Sequence, residues 1–485
     1  MAYFADLMGT LFERRPARAA LPSRTPVEDL CAQLLSPQGE VSGMKIARDI
    51  LSHYRAMAPQ ERLAFFAHLG AALDPDVAAV TAAAARYRDS GDPKALAEMC
   101  RAAEPPRQEL LRRLNQAPGA TEELVGMRLD LLRLMPDAPE LEKIDNDFKS
   151  LFVSWFNRGF LVLRPIDWRT PANILEKIIQ YEAVHAIHSW DDLQRRLRPA
   201  DRRCFAFFHP AMPEEPLIFV EVALTRGIPN SVQALLAEAR APLAEAECDT
   251  AVFYSISNCQ EGLRGISFGN SLIKQVVEEL RRDLPGLGTF VTLSPVPGLA
   301  RWLAQVAPDR PEAQALLDSA AGGAAAPGTQ AHMQSQAQSL RRLAAEYLLT
   351  AKGRGDLPAD PVARFHLGNG AALHDIHAGA DTSANGLRQS CGAMVNYLYD
   401  LAQVERNNER FVTAKTIAAS KPVQALLAEG RRGARKAQRT GQPAPDTAAD
   451  TAAGKTTGKA AGKATATDVA TSAPADAAAA GKRAG

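Results

Sequence analysis

Apolar residues recur three and four positions apart through most of the chain from Pro26 to Phe148, the spacing of one helix face. The pattern predicts helices over Lys45–Met57, Pro59–Leu73, Pro75–Arg88, Pro93–Ala103, Pro106–Gln116 and Thr121–Met135. Turns such as Ser36-Pro37-Gln38-Gly39, Ser90-Gly91-Asp92-Pro93 and Ala117-Pro118-Gly119 separate them. Residues 1–149 are therefore expected to form an all-α helical bundle. Its histidines, His53 and His68, are isolated, and no paired carboxylates or nucleophile stand out there.

The pattern changes across Leu151–Leu163. Short runs rich in β-branched and aromatic residues then predict strands at Cys204–Phe208, Leu217–Leu224, Ala251–Ser257 and Thr289–Leu293. Helices predicted at Ala172–Tyr181, Asp191–Leu197 and Ser231–Ala239 alternate with them, so residues 150–429 read as a mixed α/β domain. The first two strands are expected to be antiparallel neighbours linked by His209–Pro216. A further helical stretch runs from Pro311 to Lys352, interrupted near Gly322–Gly328. From Gly430 the periodicity gives way to Ala, Gly, Thr, Pro and Lys. Such a segment cannot bury enough apolar surface to offset the entropy of ordering, and residues 430–485 are expected to be a disordered tail. Ten Lys and Arg against four Asp from Arg431 onward make it modestly basic.

Composition narrows the function classes. A chain of 485 residues with 46% hydrophobic residues can bury a sizeable core. With 56 Lys and Arg against 55 Asp and Glu, its body presents no field for nucleic acid or an anionic membrane. No secretory signal and no apolar run of membrane-spanning length is evident. The six cysteines show no C-x-x-C pair or metal-ligand spacing and are expected to be reduced thiols in a cytoplasmic protein.

The most informative segment lies between Thr250 and Pro297. The strand-like Thr250–Ser257 is followed by the turn Arg264-Gly265-Ile266-Ser267-Phe268-Gly269-Asn270, then by Ser271–Leu280 with apolar residues at helical spacing. A turn that opens a helix offers unpaired N–H groups and the positive end of the helix dipole, and its glycines let a pyrophosphate approach the backbone. On pattern alone, a tight strand-to-helix connection accounts for the glycines equally well. Neither the Gly-Lys-Ser/Thr of a P-loop nor G-x-G-x-x-G is present, which argues against nucleotide hydrolysis and dinucleotide binding. The turn resembles the pyrophosphate loop of CoA-dependent N-acetyltransferases, with Ser267 standing where the first loop glycine usually falls.

Two further places carry candidate chemistry. Ser294, at the end of the strand in Thr292-Leu293-Ser294-Pro295, is restricted to extended geometry by the proline that follows. Its hydroxyl is either held toward a ligand or bonded to its own turn. His366 is bracketed by apolar residues ahead of Gly368-Asn369-Gly370, as a satisfied core histidine or as a general acid/base would be. His374, Asp375 and His377 cluster nearby, but the two histidines at i, i+3 have no third ligand at a recognised offset, and no metal is expected.

The order FYSISNCQEGLRGISFGNSLIK, TLSPVPGL, ARFHLGNGA, SCGAMVNYLYDL resembles the malonyl-CoA decarboxylase family from about Pro26 to Leu401. Arg203-Cys204-Phe205, Glu215-Pro216-Leu217 and Val222-Ala223-Leu224-Thr225 are also family-like. The resemblance implies a multidomain α and α/β protein, a helical bundle followed by an acetyltransferase-like (GNAT-type) catalytic domain. It implies that Arg264, Gly265, Ile266, Ser267, Phe268, Gly269 and Asn270 line the site for the CoA pyrophosphate. It also puts Ser294 and His366 at the positions of the family's catalytic serine and histidine. The expected reaction converts malonyl-CoA to acetyl-CoA and carbon dioxide, His366 delivering the proton and Ser294 orienting the malonyl group or relaying that proton. Backbone N–H groups or Asn369 would bind the developing oxyanion. No cofactor is expected beyond the CoA of the substrate, and no nucleic acid or membrane partner. A homo-oligomer, assembled through the helical domain, is expected, as is a cytoplasmic location, the chain ending in Lys482-Arg483-Ala484-Gly485 rather than S-K-L. A CoA-dependent acyltransferase and a non-enzymatic acyl-CoA-binding protein are the alternatives that the residues leave open.

Overall fold

The computed structural model describes residues 24–37, 39–266, 268, 272–322 and 330–429. Ser267, Gly269 and Asn270 of the glycine turn, the break near Gly322–Gly328 except Gly322 itself, and the basic tail lie outside the described residues.

Among them, eight helices precede the first strand: α1 (Val27–Leu35), α2 (Glu40–Ala56), α3 (Pro59–Ala72), α4 (Val77–Ser90), α5 (Pro93–Ala103), α6 (Pro106–Leu114), α7 (Ala120–Leu134) and α8 (Glu142–Trp155). Their starts follow local chemistry. The Asp76 and Asp92 carboxylates accept backbone N–H bonds at the starts of α4 and α5, and Pro59, Pro93 and Pro106 occupy first-turn positions that need no donor. The apolar stretch Pro59–Ser90 has membrane-like composition, but residues 73–76 break it into two helices of 14 residues each. Either would span about 21 Å, short of a hydrocarbon core of about 30 Å. The buried Arg107 of α6 pairs with Asp74 and with Asp147 of α8, drawing α6, α8 and the α3–α4 link together.

The sheet contains eight strands: β1 (Val162–Ile166), β2 (Arg202–His209), β3 (Met212–Thr225), β4 (Thr250–Asn258), β5 (Thr289–Thr292), β6 (Ser294–Pro295), β7 (Ala372–His377) and β8 (Met394–Leu398). Its order is β1-β2-β3-β4-β5-β8-β6, with β7 paired to β8. The first four strands are antiparallel; β5 runs parallel to β4. That change of direction requires a crossover, supplied by α12 (Leu272–Asp283). This is the mixed α/β arrangement expected from the sequence. The remaining helices are α9 (Ala172–Tyr181), α10 (Trp190–Leu197), α11 (Val232–Leu236), α13 (Leu299–Val306), α14 (Pro311–Ala321), α15 (Gln330–Thr350), α16 (Pro361–Gly368), α17 (Ala384–Ser390) and α18 (Val404–Ala414).

Both faces of β2 are buried. Phe205 and Phe207 join a core continuous with the helical bundle, while Cys204, Ala206 and Phe208 meet Ile174, Ile178 and Leu193 of α9 and α10. The strand therefore reads as a continuous apolar run rather than an alternation. The link between β2 and β3 is shorter than His209–Pro216. His209 pairs with Met212 across Pro210-Ala211, and irregularities at Phe207–His209 absorb the register offset, so the prolines of 213–216 sit within a strand. None of the six cysteines forms a disulfide within the chain.

Gly370, just beyond α16, has φ +85°, and a Cβ there would collide with the carbonyl of Val404. Gly370→Ala is expected to cost at least about 2 kcal/mol, seen as a lowered midpoint in thermal unfolding.

Candidate active site

β4 and β5 run together only as far as the pair Phe253 and Thr292. Leu293 still donates its N–H to the Phe253 carbonyl at 3.0 Å, but the chain then bends and continues as β6 against β8. The second half of β4 thereby loses its neighbour. A split at the carboxyl ends of parallel strands is where an α/β sheet leaves room for a ligand. Here it holds a cavity of about 260 Å³, walled by Tyr254 and Ile256 of β4, Ile218 of β3, Ser294 and Pro295 of β6, and Phe365 and His366 of α16.

Ser294 and His366, 72 residues apart in sequence, meet in this wall with Oγ and Nε2 at 3.0 Å. Both are buried. The Ser294 hydroxyl donates to Thr292 Oγ1 at 2.9 Å, and Thr292 Oγ1 also accepts the Tyr397 N–H at 3.2 Å. Ser294 thus bonds neighbouring side chains rather than its own turn. With its proton directed to Thr292, the Ser294 oxygen is left to accept from His366, which assigns the imidazole proton to Nε2. His366 Nδ1 then accepts from the Tyr399 hydroxyl at 2.9 Å. The donors form a single sequence from Tyr399 through His366 and Ser294 to Thr292. Tyr397 stacks on the imidazole, with ring centroids 4.6 Å apart, and fixes its plane.

One carboxylate couples the two catalytic candidates. Asp360 caps α16, its Oδ1 accepting the N–H groups of Val362 and Ala363 at 2.9 Å. Its Oδ2 accepts the N–H of Gly298 at 3.2 Å, in the loop that follows Ser294. The helix bearing His366 is thus tied to the segment bearing Ser294. Burial raises the Asp360 pKa, while the N–H bonds favour its charged form. Burial also pushes the His366 imidazole down to about 3 and holds the Tyr399 phenol protonated. At neutral pH the site holds an uncharged imidazole with one proton, at the atom facing Ser294.

The glycine turn starts where β4 ends. Gly265 has φ +82°, a left-handed conformation suited to glycine, and Arg264 is exposed. The side chains of Ile266 and Phe268 are buried in the core, and the Ile266 N–H is taken by the Leu263 carbonyl at 2.9 Å. Neither they nor Arg264 and Gly265 line the cavity itself. Asn369 is buried with its amide nitrogen on the Phe365 carbonyl at 2.7 Å, closing the end of α16. Asp375 pairs with Arg341, and His377 Nε2 bonds Asn396, so both side chains have protein partners. Thr292, Asp360, Tyr397 and Tyr399 were not singled out from sequence. Tyr397 and Tyr399 lie in a short buried segment around β8 whose place at the site depends on strand pairing.

Residues 73–156 match the family model described as malonyl-CoA decarboxylase N-terminal domain, and residues 159–437 the model for its C-terminal domain. The chain belongs to the malonyl-CoA decarboxylase family. The mitochondrial malonyl-CoA decarboxylase of Rattus norvegicus is 36% identical over 357 residues, 66% of this chain and 70% of the relative. The solved malonyl-CoA decarboxylase of Rhodopseudomonas palustris is 50% identical with a TM-score of 0.77, covering 82% of this chain and 98% of its own. That of Agrobacterium vitis is 51% identical with a TM-score of 0.78, covering 83% and 99% respectively.

In this family member, Asp360→Ala is expected to lose about 1–2 kcal/mol through the cap alone, with Asp360→Asn retaining most of it, measured by denaturant unfolding. Acid sensitivity provides a second check. The His366 pKa is depressed from 6.5 in the folded state, so its contribution to stability is complete above about pH 6.5 and lost as pH falls toward about 3. His366→Gln should lose less stability than the parent protein between pH 6.5 and 4, the slopes differing by up to about 1.4 kcal/mol per pH unit.

Proposed function

We propose that Ser294 and His366 carry out the decarboxylation of malonyl-CoA to acetyl-CoA and carbon dioxide, with the proton moving along the hydrogen-bond sequence from Tyr399 to Ser294. That single-direction chain, opening into a cavity at the strand split, is the observation that supports the reading. The bond between the malonyl carbon and its carboxylate breaks, its electron pair passes into the thioester as an enolate, and carbon dioxide leaves. The carbon must then gain one proton. Ser294 turns its hydroxyl from Thr292 and gives that proton to the carbon while its oxygen takes the His366 Nε2 proton; Tyr399 resupplies the ring at Nδ1, and solvent restores the phenol as the product leaves.

The cavity wall favours the forward step. Among the described residues that line it there is no Lys or Arg, and Ile218, Phe253, Ile256, Pro295, Val362 and Phe365 supply an apolar surface. A carboxylate placed against that wall lacks both water and an ion-pair partner, so its charge is less stabilised at the start than after it has spread into the thioester. The thioester serves as the electron sink, and no cofactor beyond CoA is called for. The turn from Arg264 would receive the CoA pyrophosphate, with the pantetheine arm reaching from it to the cavity.

The test is to incubate the purified protein with malonyl-CoA, without added metal or cofactor, and to follow acetyl-CoA and carbon dioxide. Equal amounts of both are expected. His366→Ala is expected to lower kcat by about 10²–10⁴ and Ser294→Ala by a comparable factor, in protein that stays folded. Near-normal turnover by either variant would remove that residue from the mechanism; consumption of acetyl-CoA with release of free CoA would favour acyl transfer instead.

A further inference from the structure

Arg128, on α7 of the helical bundle, is completely buried, yet most of its hydrogen bonds leave the bundle. Its Nε donates to Asp145 of α8 at 2.8 Å. One terminal nitrogen donates to the carbonyl of Gly262 at 2.6 Å and the other to the carbonyl of Arg264 at 2.9 Å. These two carbonyls belong to the short turn between the end of β4 and Gly265. A planar guanidinium places its donors in a fixed fork, so gripping two carbonyls fixes the orientation of the turn as well as its position. The same turn is held independently by shape, because Gly262 lies so close to α7 that a Cβ would collide with the Val125 carbonyl.

A bundle that needed only to be stable would not direct a buried cation at the backbone of a distant loop, since an ion pair sequestered from water is weak support for stability. We infer that Arg128 is a positioning residue for substrate binding: the helical bundle uses it to hold the entrance of the glycine turn so that Arg264 and Gly265 face the CoA diphosphate. This rests on the reading of Arg264–Asn270 as the pyrophosphate site. Asp145 is the second component, fixing the guanidinium from behind while its other oxygen pairs with Lys149 at 2.6 Å. The bundle thereby acts on recognition of the nucleotide half of the substrate, not on the reacting malonyl group.

The prediction separates the two halves of the substrate. Kinetics of Arg128→Lys, Arg128→Gln and Gly262→Ala are compared with malonyl-CoA and with malonyl-pantetheine, which keeps the thioester but lacks the nucleotide and its diphosphate. Loss of charge-assisted bonds to the turn should raise KM for malonyl-CoA about tenfold or more, with kcat within about twofold, and leave kcat/KM for malonyl-pantetheine unchanged. Arg128→Lys, which keeps the charge and can reach one carbonyl, should recover part of the Arg128→Gln loss. Gly262→Ala introduces no unpaired buried charge and reports on the same turn if the Arg128 variants fold poorly. Equal losses with both substrates would overturn the inference and leave Arg128 a strut. Arg264→Ala is the control on the underlying reading: an unchanged KM for malonyl-CoA would show that the turn does not bind the diphosphate, and the assignment of Arg128 would fall with it.

Discussion

The parting of β4 from β5 beyond Phe253 and Thr292 is the constraint on which the rest of this structure depends. Opening a sheet in its middle exposes backbone groups that must find other partners. Here the departing strand re-pairs as β6 with β8, and the segment after α9 covers part of the freed strand, where the Ala183 N–H meets Ser257 and the Glu182 carboxylate accepts the Ser255 hydroxyl. What remains uncovered is the cavity. A split in the sheet also explains why the candidate catalytic groups come from segments far apart in sequence, since each closes a different side of one gap.

Within the gap, burial and hydrogen bonding act together. Removing water from His366 suppresses its positive charge and keeps a single mobile proton on the ring. The hydroxyls of Tyr399, Ser294 and Thr292 then determine which nitrogen carries it. Exposed to solvent, the same imidazole would exchange partners and tautomers freely. The Asp360 carboxylate makes this order durable, because one buried group bonds both the start of α16 and the loop after Ser294. A shift of either segment would leave a buried carboxylate short of donors, which is costly in a medium of low dielectric.

The helical bundle and the sheet share one continuous apolar core. Their contact is polar where it matters for the site, through Arg128 and the turn at Gly262. The bundle is therefore part of the frame that shapes the end of β4, although its own sequence offers no catalytic group.

Much of this was legible in the residues. Helical periodicity located α3, α5 and α7 to within about two residues, because amphipathic spacing is a local property of the chain. The runs at Phe205 and Phe253 identified β2 and β4, and the glycines at Gly265 and Gly269 marked the turn that leads into a helix. Motif order singled out Ser294 and His366, although a pattern cannot say whether a buried hydroxyl or imidazole has a partner. The tertiary structure decided that. It paired β7 and β8, whose His374, Asp375, His377 and Asn396 interrupt the apolar run that marks a strand, and so brought Tyr397 and Tyr399 against His366. It showed Asp360 joining two distant loops and Arg128 reaching out of its own bundle. Periodicity records which face of an element is buried; it carries no information about which elements meet across a gap, and the hydrogen-bond sequence through His366 and Ser294, the apolar wall and the grip on the glycine turn are all made at such meetings.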